Sequence, residues 1–326
     1  MNASSVPRAP ALAFNFCVTK YNPADRSDEG WYVGPENILS DHGPVETAYL
    51  DAISAFAADA GVTSLSIRVP EVAGEVNFGA EPTIDGDGLT GLFPEGADGF
   101  YDGAEVSLHV GRELVRAMLR DNGAWCRLEM DDRFSIHIGY DQYLYIGSSV
   151  SSERAVDVAH KLGLFVEPIS GSPDTWDPDD VPYPPADTDF WGEVENLIAQ
   201  RGPLLLEASA VSNQSRWHRL FLDNLADVRA SLLPRSVVDL WPDLSTDITH
   251  LLTLLQDDTV LVVREDDGGL ITSGWVDPDS STQRAALANA RAAAVMSIYA
   301  GESLPLLSAV LPDADGVIRA RWAQYR

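Results

Sequence analysis

Residues Gly123–Gly147 read GAWCRLEMDDRFSIHIGYDQYLYIG, and their register decides the fold of the first half of the chain. Ala124, Cys126, Leu128 and Met130 alternate with Trp125, Arg127 and Glu129; Phe134, Ile136 and Ile138 alternate with Ser135 and His137. A period of two marks a strand with one buried face. Residues opposed across an antiparallel hairpin share a face. A two-residue loop at Asp131-Asp132 would oppose Glu129 to Phe134 and mix the faces. A three-residue loop, Asp131 to Arg133, opposes Met130 to Phe134, Leu128 to Ile136 and Cys126 to Ile138, so the apolar sets coincide. The same logic across GYDQY pairs Ile138 with Leu144 and Ile136 with Ile146. A three-stranded meander is expected, its apolar side facing the core.

The other side then carries Arg127, His137 and Tyr145 in one transverse row. Trp125 and Tyr143 flank it on one side, Glu129 and Ser135 on the other. Aromatic residues and arginine are enriched in interface hot spots, so Trp125, Arg127, Glu129, His137, Tyr143 and Tyr145 form the candidate binding set. Three readings follow. A helix or a second domain covers the face and the residues are structural. Alternatively, the face binds a protein or a ligand. In a hydrolase-like reading, His137 is a general base oriented by Glu129, with Tyr145 or Arg127 stabilising charge. No nucleophile or cofactor motif accompanies His137, so no catalytic residue, metal or cofactor is assigned.

Upstream, Pro44 stands at the first turn of a helix through ETAYLDAISAFAADAG, which Gly61 stops. VTSLSIRV is a half-buried strand with Leu65, Ile67 and Val69 on one face and Arg68 on the other. Pro70–Gly103, rich in Gly and acids, is expected to be a long loop. A second helix is expected from Asp102, with Glu105 completing a capping box, to Gly123. SSERAVDVAHKLG is a third helix and LFVEPI a closing strand.

SGSPDTWDPDDVPYPPADTD, Ser170 to Asp189, lacks either structural period and reads as an extended acidic linker. The expected organisation is therefore an N-terminal α+β domain over 1–168, a linker over 169–189 and a C-terminal α+β domain over 190–326. Each is a largely antiparallel sheet with helices packed on it. In the second, DFWGEVENLIAQ is a helix and PLLLEASAV a strand; Leu220–Leu232 and Thr246–Leu255 are mostly helical, broken by Pro234 and Pro242. TVLVVRE and LITSGWV flank a hairpin turn at Asp266–Gly269. An Ala-rich helix is expected from Pro278 to Ala300, and LPLLSAVL and GVIRARW are closing strands.

Fifty acidic residues against 22 Lys and Arg give a formal net charge of −28. Such a charge repels phosphate backbones and anionic membranes and suits a basic protein partner. No apolar run reaches the roughly 18 residues of a membrane span. The first residues lack the pattern of a secretory signal. Two cysteines, Cys17 and Cys126, cannot build a disulfide framework, and Cys126 reads as a small core residue. These features point to the cytoplasm. Asp85-Gly86-Asp87-Gly88 and Asp313-Ala314-Asp315-Gly316 are acidic turns without the distal ligands of a calcium loop. Arg216-Trp217-His218-Arg219 reads as a stretch with Trp217 buried and Arg219 solvated.

VTKYNPADRSDEGWYVGPENILSDHGPVETAYLDAI, LTGLFPEGADGFYDGAEVSL, LVRAMLRDNGAWCRLE, HIGYDQYLYIGS and LGLFVE resemble a family of uncharacterised actinobacterial proteins over the N-terminal half. Some members carry an RNA-binding label, so the resemblance implies RNA as an alternative partner; it implies no role for any single residue. The expectation is a cytoplasmic, non-enzymatic interaction protein, most concretely an acidic inhibitor of the immunity or antitoxin type. RNA binding through the aromatic sheet face is the alternative, disfavoured by the charge.

Overall fold

The computed structural model describes residues 12–35, 42–77, 89, 91–93, 99–171, 183–255, 259–277, 279–296 and 303–320. The chain is a mixed α+β protein whose sheets are antiparallel-dominated. It divides into two compact units, one of residues 7–71 and 86–180, the other of residues 1–6, 72–85 and 181–326.

The N-terminal unit runs β1 (Phe14–Thr19), α1 (Pro44–Ala60), β2 (Ser64–Asn77, which leaves this unit after Glu71), β3 (Glu105–Ser107), α2 (Leu108–Leu119), β4 (Ala124–Met130), β5 (Phe134–Ile138), β6 (Leu144–Ser148), α3 (Glu153–Lys161) and β7 (Phe165–Ile169). Its strand order is β2-β4-β5-β6-β1-β7, with β3 beside β2. The meander has the expected register: Met130 opposes Phe134, Leu128 opposes Ile136, Ile136 opposes Ile146 and Ile138 opposes Leu144. Leu128, Ile136, Leu144 and Ile146 are buried, with Tyr49, Ile53 and Phe56 of α1 completing the core. Phe16 of β1 meets Phe56 with ring centroids 5.2 Å apart. At α1's end Gly61 takes a left-handed φ of 66°, and its N–H reaches the carbonyls of Ala57 and Ala58.

Three expectations in this unit are corrected. Pro70–Asn77 is strand, not loop, because β2 continues past a bulge. Val69 adopts φ 49°, its N–H donating to Asp102 Oδ1 at 3.0 Å, and Arg68 Nε lies 3.4 Å from the same oxygen. The bulge turns Arg68 inward, so it is buried while Val69 is half-buried, the reverse of the expected faces. Asp102 is fully buried beneath this kink and does not cap a helix. Glu105–Ser107 pairs with Ser64–Ser66 as a strand, and Ser107 is the true cap, its Oγ accepting from the Val110 N–H.

The C-terminal unit takes Val72–Asn77 of β2 and adds α4 (Thr188–Arg201), β8 (Leu204–Ser209), β9 (Ser212–Leu220), α5 (Leu225–Ser231), β10 (Val237–Pro242), α6 (Ile248–Leu254), β11 (Val260–Glu265), β12 (Ile271–Val276), α7 (Ser281–Ala288), β13 (Ala292–Met296) and β14 (Leu307–Val310). One sheet runs β14-β10-β8-β9 to the end of β2; the other is β12-β11-β13. Trp191, Val194 and Ile198 of α4 cluster with Leu204, Leu206 and Leu240. On the opposite face Leu205, Trp217 and Trp241 cluster with Leu261, Val263, Ala292 and Met296 of the small sheet.

Here the corrections are larger. The Ala-rich helix stops at Ala288, and Ala292–Met296 is a strand paired with Leu261–Glu265. Cross-strand pairing and burial of Ala292 and Ala293 override alanine's helix propensity. Val237–Pro242 is an unforeseen central strand that ends at its proline. Arg216–Arg219 lies in β9, which runs through Leu220, and the helix expected over Leu220–Leu232 is confined to Leu225–Ser231. Gly316–Ala320, expected as strand, forms none. At the end of the expected linker, Asp187 caps α4 and Pro185 bridges to Val310. Residues 172–182 of that linker and Asp85-Gly86-Asp87-Gly88 lie outside the described residues. Among the described residues no helix is long and apolar enough to cross a membrane.

Candidate functional site

The face of the N-terminal sheet turned away from α1 carries the residues singled out in the sequence. Trp125, Arg127, His137, Tyr143 and Tyr145 are half-buried, and Glu129, opposite Ser135, is buried. His137 opposes Tyr145, as expected, and β1 extends the row: Cys17 opposes Tyr145 on one side and Glu167 of β7 on the other. Arg127 stands one residue beyond the last β4–β5 pair, Leu128 with Ile136.

The rings form a longer line than the sequence suggested. Tyr32 and Tyr21 have centroids 4.8 Å apart, Tyr21 and Tyr143 5.7 Å, Tyr143 and Tyr145 6.5 Å, and Tyr145 and His137 6.0 Å. The last two contacts are near-parallel, at 19° and 17°. All four distances fall in the roughly 4.5–7 Å range of favourable aromatic pairs. Gly139 makes room for the line, since a Cβ there would lie 2.7 Å from Tyr145 Cε2.

Tyr21 and Tyr32 come from the segment after β1. Asn22 caps the single turn Pro23–Asp25, and Arg26 bridges to Tyr32. The Ser27 N–H donates to the Trp31 carbonyl, closing a tight loop. Tyr32 thereby turns toward Tyr21, while Trp31 and Val33 point outward, 72% and 69% exposed, beside exposed Asp28 and Glu29. These residues were missed by the sequence reading; the outward-inward-outward spacing of Trp31-Tyr32-Val33 is the signal that could have found them.

Charges tie the loop to the sheet. Arg26 forms an ion pair with Glu167 at 3.2 Å. Burial pulls against its charge, but a hydrogen bond to Tyr143 and the Glu167 carboxylate hold the guanidinium above its ordinary pKa. Burial, reinforced by Glu167, pushes the Cys17 thiol up to about 11, so it stays protonated and unreactive near neutral pH. Burial likewise raises Cys126, in keeping with its core position. In the turn between β5 and β6, Asp141 and Gln142 both have left-handed φ, 53° and 59°. This costs energy for non-glycine residues. Gln142 compensates by donating to the Leu119 carbonyl at 2.8 Å and accepting from Lys20 Nζ at 3.3 Å.

The basic-aromatic stretch of the C-terminal unit is structural. Trp217 is buried and donates to Ser273 Oγ at 2.9 Å, and Arg219 is paired with Asp243 and Glu265 where solvation was expected. Asp313 of the second acidic turn accepts from Arg235 and Arg319, which hold its carboxyl below the ordinary range against the opposing effect of burial. No group of three or more metal-ligating side chains occurs among the described residues. No family model, curated protein or solved structure matches this chain.

Proposed function

We propose that this is a non-enzymatic, cytoplasmic interaction protein that captures a basic protein partner, as an immunity or antitoxin-type inhibitor does. One observation carries the reading: Trp31 and Val33 project from the end of an aromatic line, with Asp28 and Glu29 beside them, on a chain of net charge −28. An aromatic anchor rimmed by acidic groups gives contact area to a partner, and the surrounding field steers a cationic surface to it. In this reading the N-terminal unit, over which the resemblance runs, is the partner-binding part of the chain.

The test is co-purification from native cytosol with the wild type, Trp31→Ala and the double variant Asp28→Lys/Glu29→Lys. A basic protein retained by the wild type and lost by both variants supports the reading. Retention unchanged by either variant overturns it. RNA binding is the second reading, favoured by the near-parallel Tyr143, Tyr145 and His137 rings, which form a stacking platform of the kind that accepts unpaired bases. It requires salt-sensitive binding of a single-stranded oligonucleotide that Tyr145→Ala abolishes.

A further inference from the structure

In the C-terminal unit a row of side chains crosses four strands on the sheet face that bears Trp217. Glu207 of β8 stands between Trp217 of β9 and Asp239 of β10, and Asp239 in turn opposes Ser308 of β14. Residues opposed across an antiparallel pair share a face, with Cβ atoms roughly 4.5–5.5 Å apart. One period further along β8, Ser209 joins Glu207 on that face, and the β8–β9 register carries Ser215 opposite it. Two carboxylates and three hydroxyls are thus gathered on one patch of sheet. Glu207, Ser209, Ser215 and Asp239 are all buried.

Two groups of this patch lack what burial demands. Asp239, 5% exposed, accepts from Ser308 Oγ and enters no ion pair among the described residues. A buried carboxylate is costly unless a cation or several donors compensate it. Across the strand it meets another acid, Glu207, where a basic side chain would have served. Glu207 is held by Ser215 Oγ and Trp241 Nε1, so the deficit lies at Asp239. The second group is Ser209. It is 1% exposed, and its Oγ has no hydrogen-bond partner, a state native interiors rarely contain. Protonating Asp239 would remove its charge and still leave Ser209 orphaned. A cation ligated by both accounts for the two together.

We propose that this patch binds a calcium ion, ligated by the Asp239 carboxylate and the Ser209 hydroxyl, with Glu207 adding a second carboxylate. The donors are hard oxygens, which suit calcium or magnesium rather than zinc or copper. With a carboxylate from each of two strands in reach, a divalent ion is favoured over a monovalent one. Magnesium keeps several waters in strict octahedral geometry, which a patch this buried does not accommodate. Calcium takes roughly six to eight oxygens, flexibly, at about 2.3–2.6 Å. His, Cys, Asp and Glu nowhere group in threes among the described residues; here two carboxylates are joined by hydroxyls instead. The site belongs to the C-terminal unit and does not depend on the Trp31 loop or its partner.

The test uses the full chain, treated with EGTA and then titrated calorimetrically with calcium chloride, with magnesium chloride and sodium chloride as controls at matched ionic strength. Calcium is expected to bind saturably at one site and to raise the thermal midpoint more than either control does. Asp239→Asn should weaken calcium binding about tenfold or more, and Ser209→Ala about threefold or more. Circular dichroism checks that both variants fold. If Asp239→Asn does not, Ser209→Ala decides alone, since it removes only an orphaned hydroxyl. Absence of saturable calcium binding, equal stabilisation by magnesium or sodium, or wild-type calcium affinity in either folded variant overturns the proposal.

Discussion

In the C-terminal unit, Trp217, Trp241, Glu207 and Arg219 lie on a sheet face that a second sheet covers; in the N-terminal unit, Trp125, Arg127, Glu129, His137 and Tyr145 lie on a face where most remain half-buried. The residue types are nearly the same, and so is the antiparallel alternation that places them. Their bonding differs. Glu207, 1% exposed, accepts from Ser215 Oγ at 2.7 Å and Trp241 Nε1 at 3.2 Å, and Trp217 is tied to Ser273. A covered polar face must satisfy its groups internally. On the N-terminal face ring contacts run beside polar ones such as the Arg26–Glu167 ion pair, and the rings stay half-buried. An aromatic-polar strand pattern therefore does not reveal function until the covering layer is known.

The contrast between the two faces has four measurable consequences, given in falling order of size. A fragment of residues 183–326 lacks Val72–Asn77, the strand beside β9, and is expected to lose cooperative unfolding; full-length protein measured by urea titration with circular dichroism is the reference. Glu207→Ala leaves two buried donors without an acceptor and should cost roughly 2–5 kcal/mol, read from the denaturant midpoint.

Glu46→Gln, in the N-terminal core, should cost about 1.5–3 kcal/mol, the range for hydrogen bonds to a charged group. Burial raises this carboxyl, but the Arg120 hydrogen bonds, the His42 N–H and the two guanidinium charges outweigh it and hold the pKa below its ordinary 4.5. A lowered acid pKa stabilises the fold above that ordinary value, and the contribution is lost as pH falls through the folded-state value. The difference between wild type and Glu46→Gln in thermal midpoint should therefore shrink as pH falls below 4.5. Tyr145→Ala should be mildest for stability, about 1 kcal/mol, because the ring is half-buried. Equal costs for Tyr145→Ala and Glu207→Ala would erase the distinction between the two faces.

The parts legible in the sequence are those where local pattern and tertiary pairing agree. The meander was readable because only a three-residue loop aligns Met130, Leu128 and Ile136 on one side, and a one-residue slip would expose all of them. Ala292–Met296 was not, because alanine's local preference is helical and only the neighbouring Leu261–Glu265 makes a strand of it. The continuation of β2 was hidden by the bulge at Val69, which depends on Asp102, 33 residues away. Of the ring line, Tyr143, Tyr145 and His137 were legible through register. Tyr21 and Tyr32 were not, since an irregular segment held by the Arg26–Tyr32 bridge brings them there.

The division of β2 between the two units bears on how the chain is made. Val72, at the start of the portion in the C-terminal unit, accepts a hydrogen bond from Asn213, 141 residues later. On the ribosome that half-strand emerges long before β9 exists to pair with it. At roughly 5–20 residues per second, the wait lasts several seconds or more. For that interval the nascent chain carries an unpaired strand edge, the kind of template on which wrong partners add. Slowing translation between residues 77 and 212 should therefore lower the soluble yield of the whole protein, whereas the same delay after residue 220 should not.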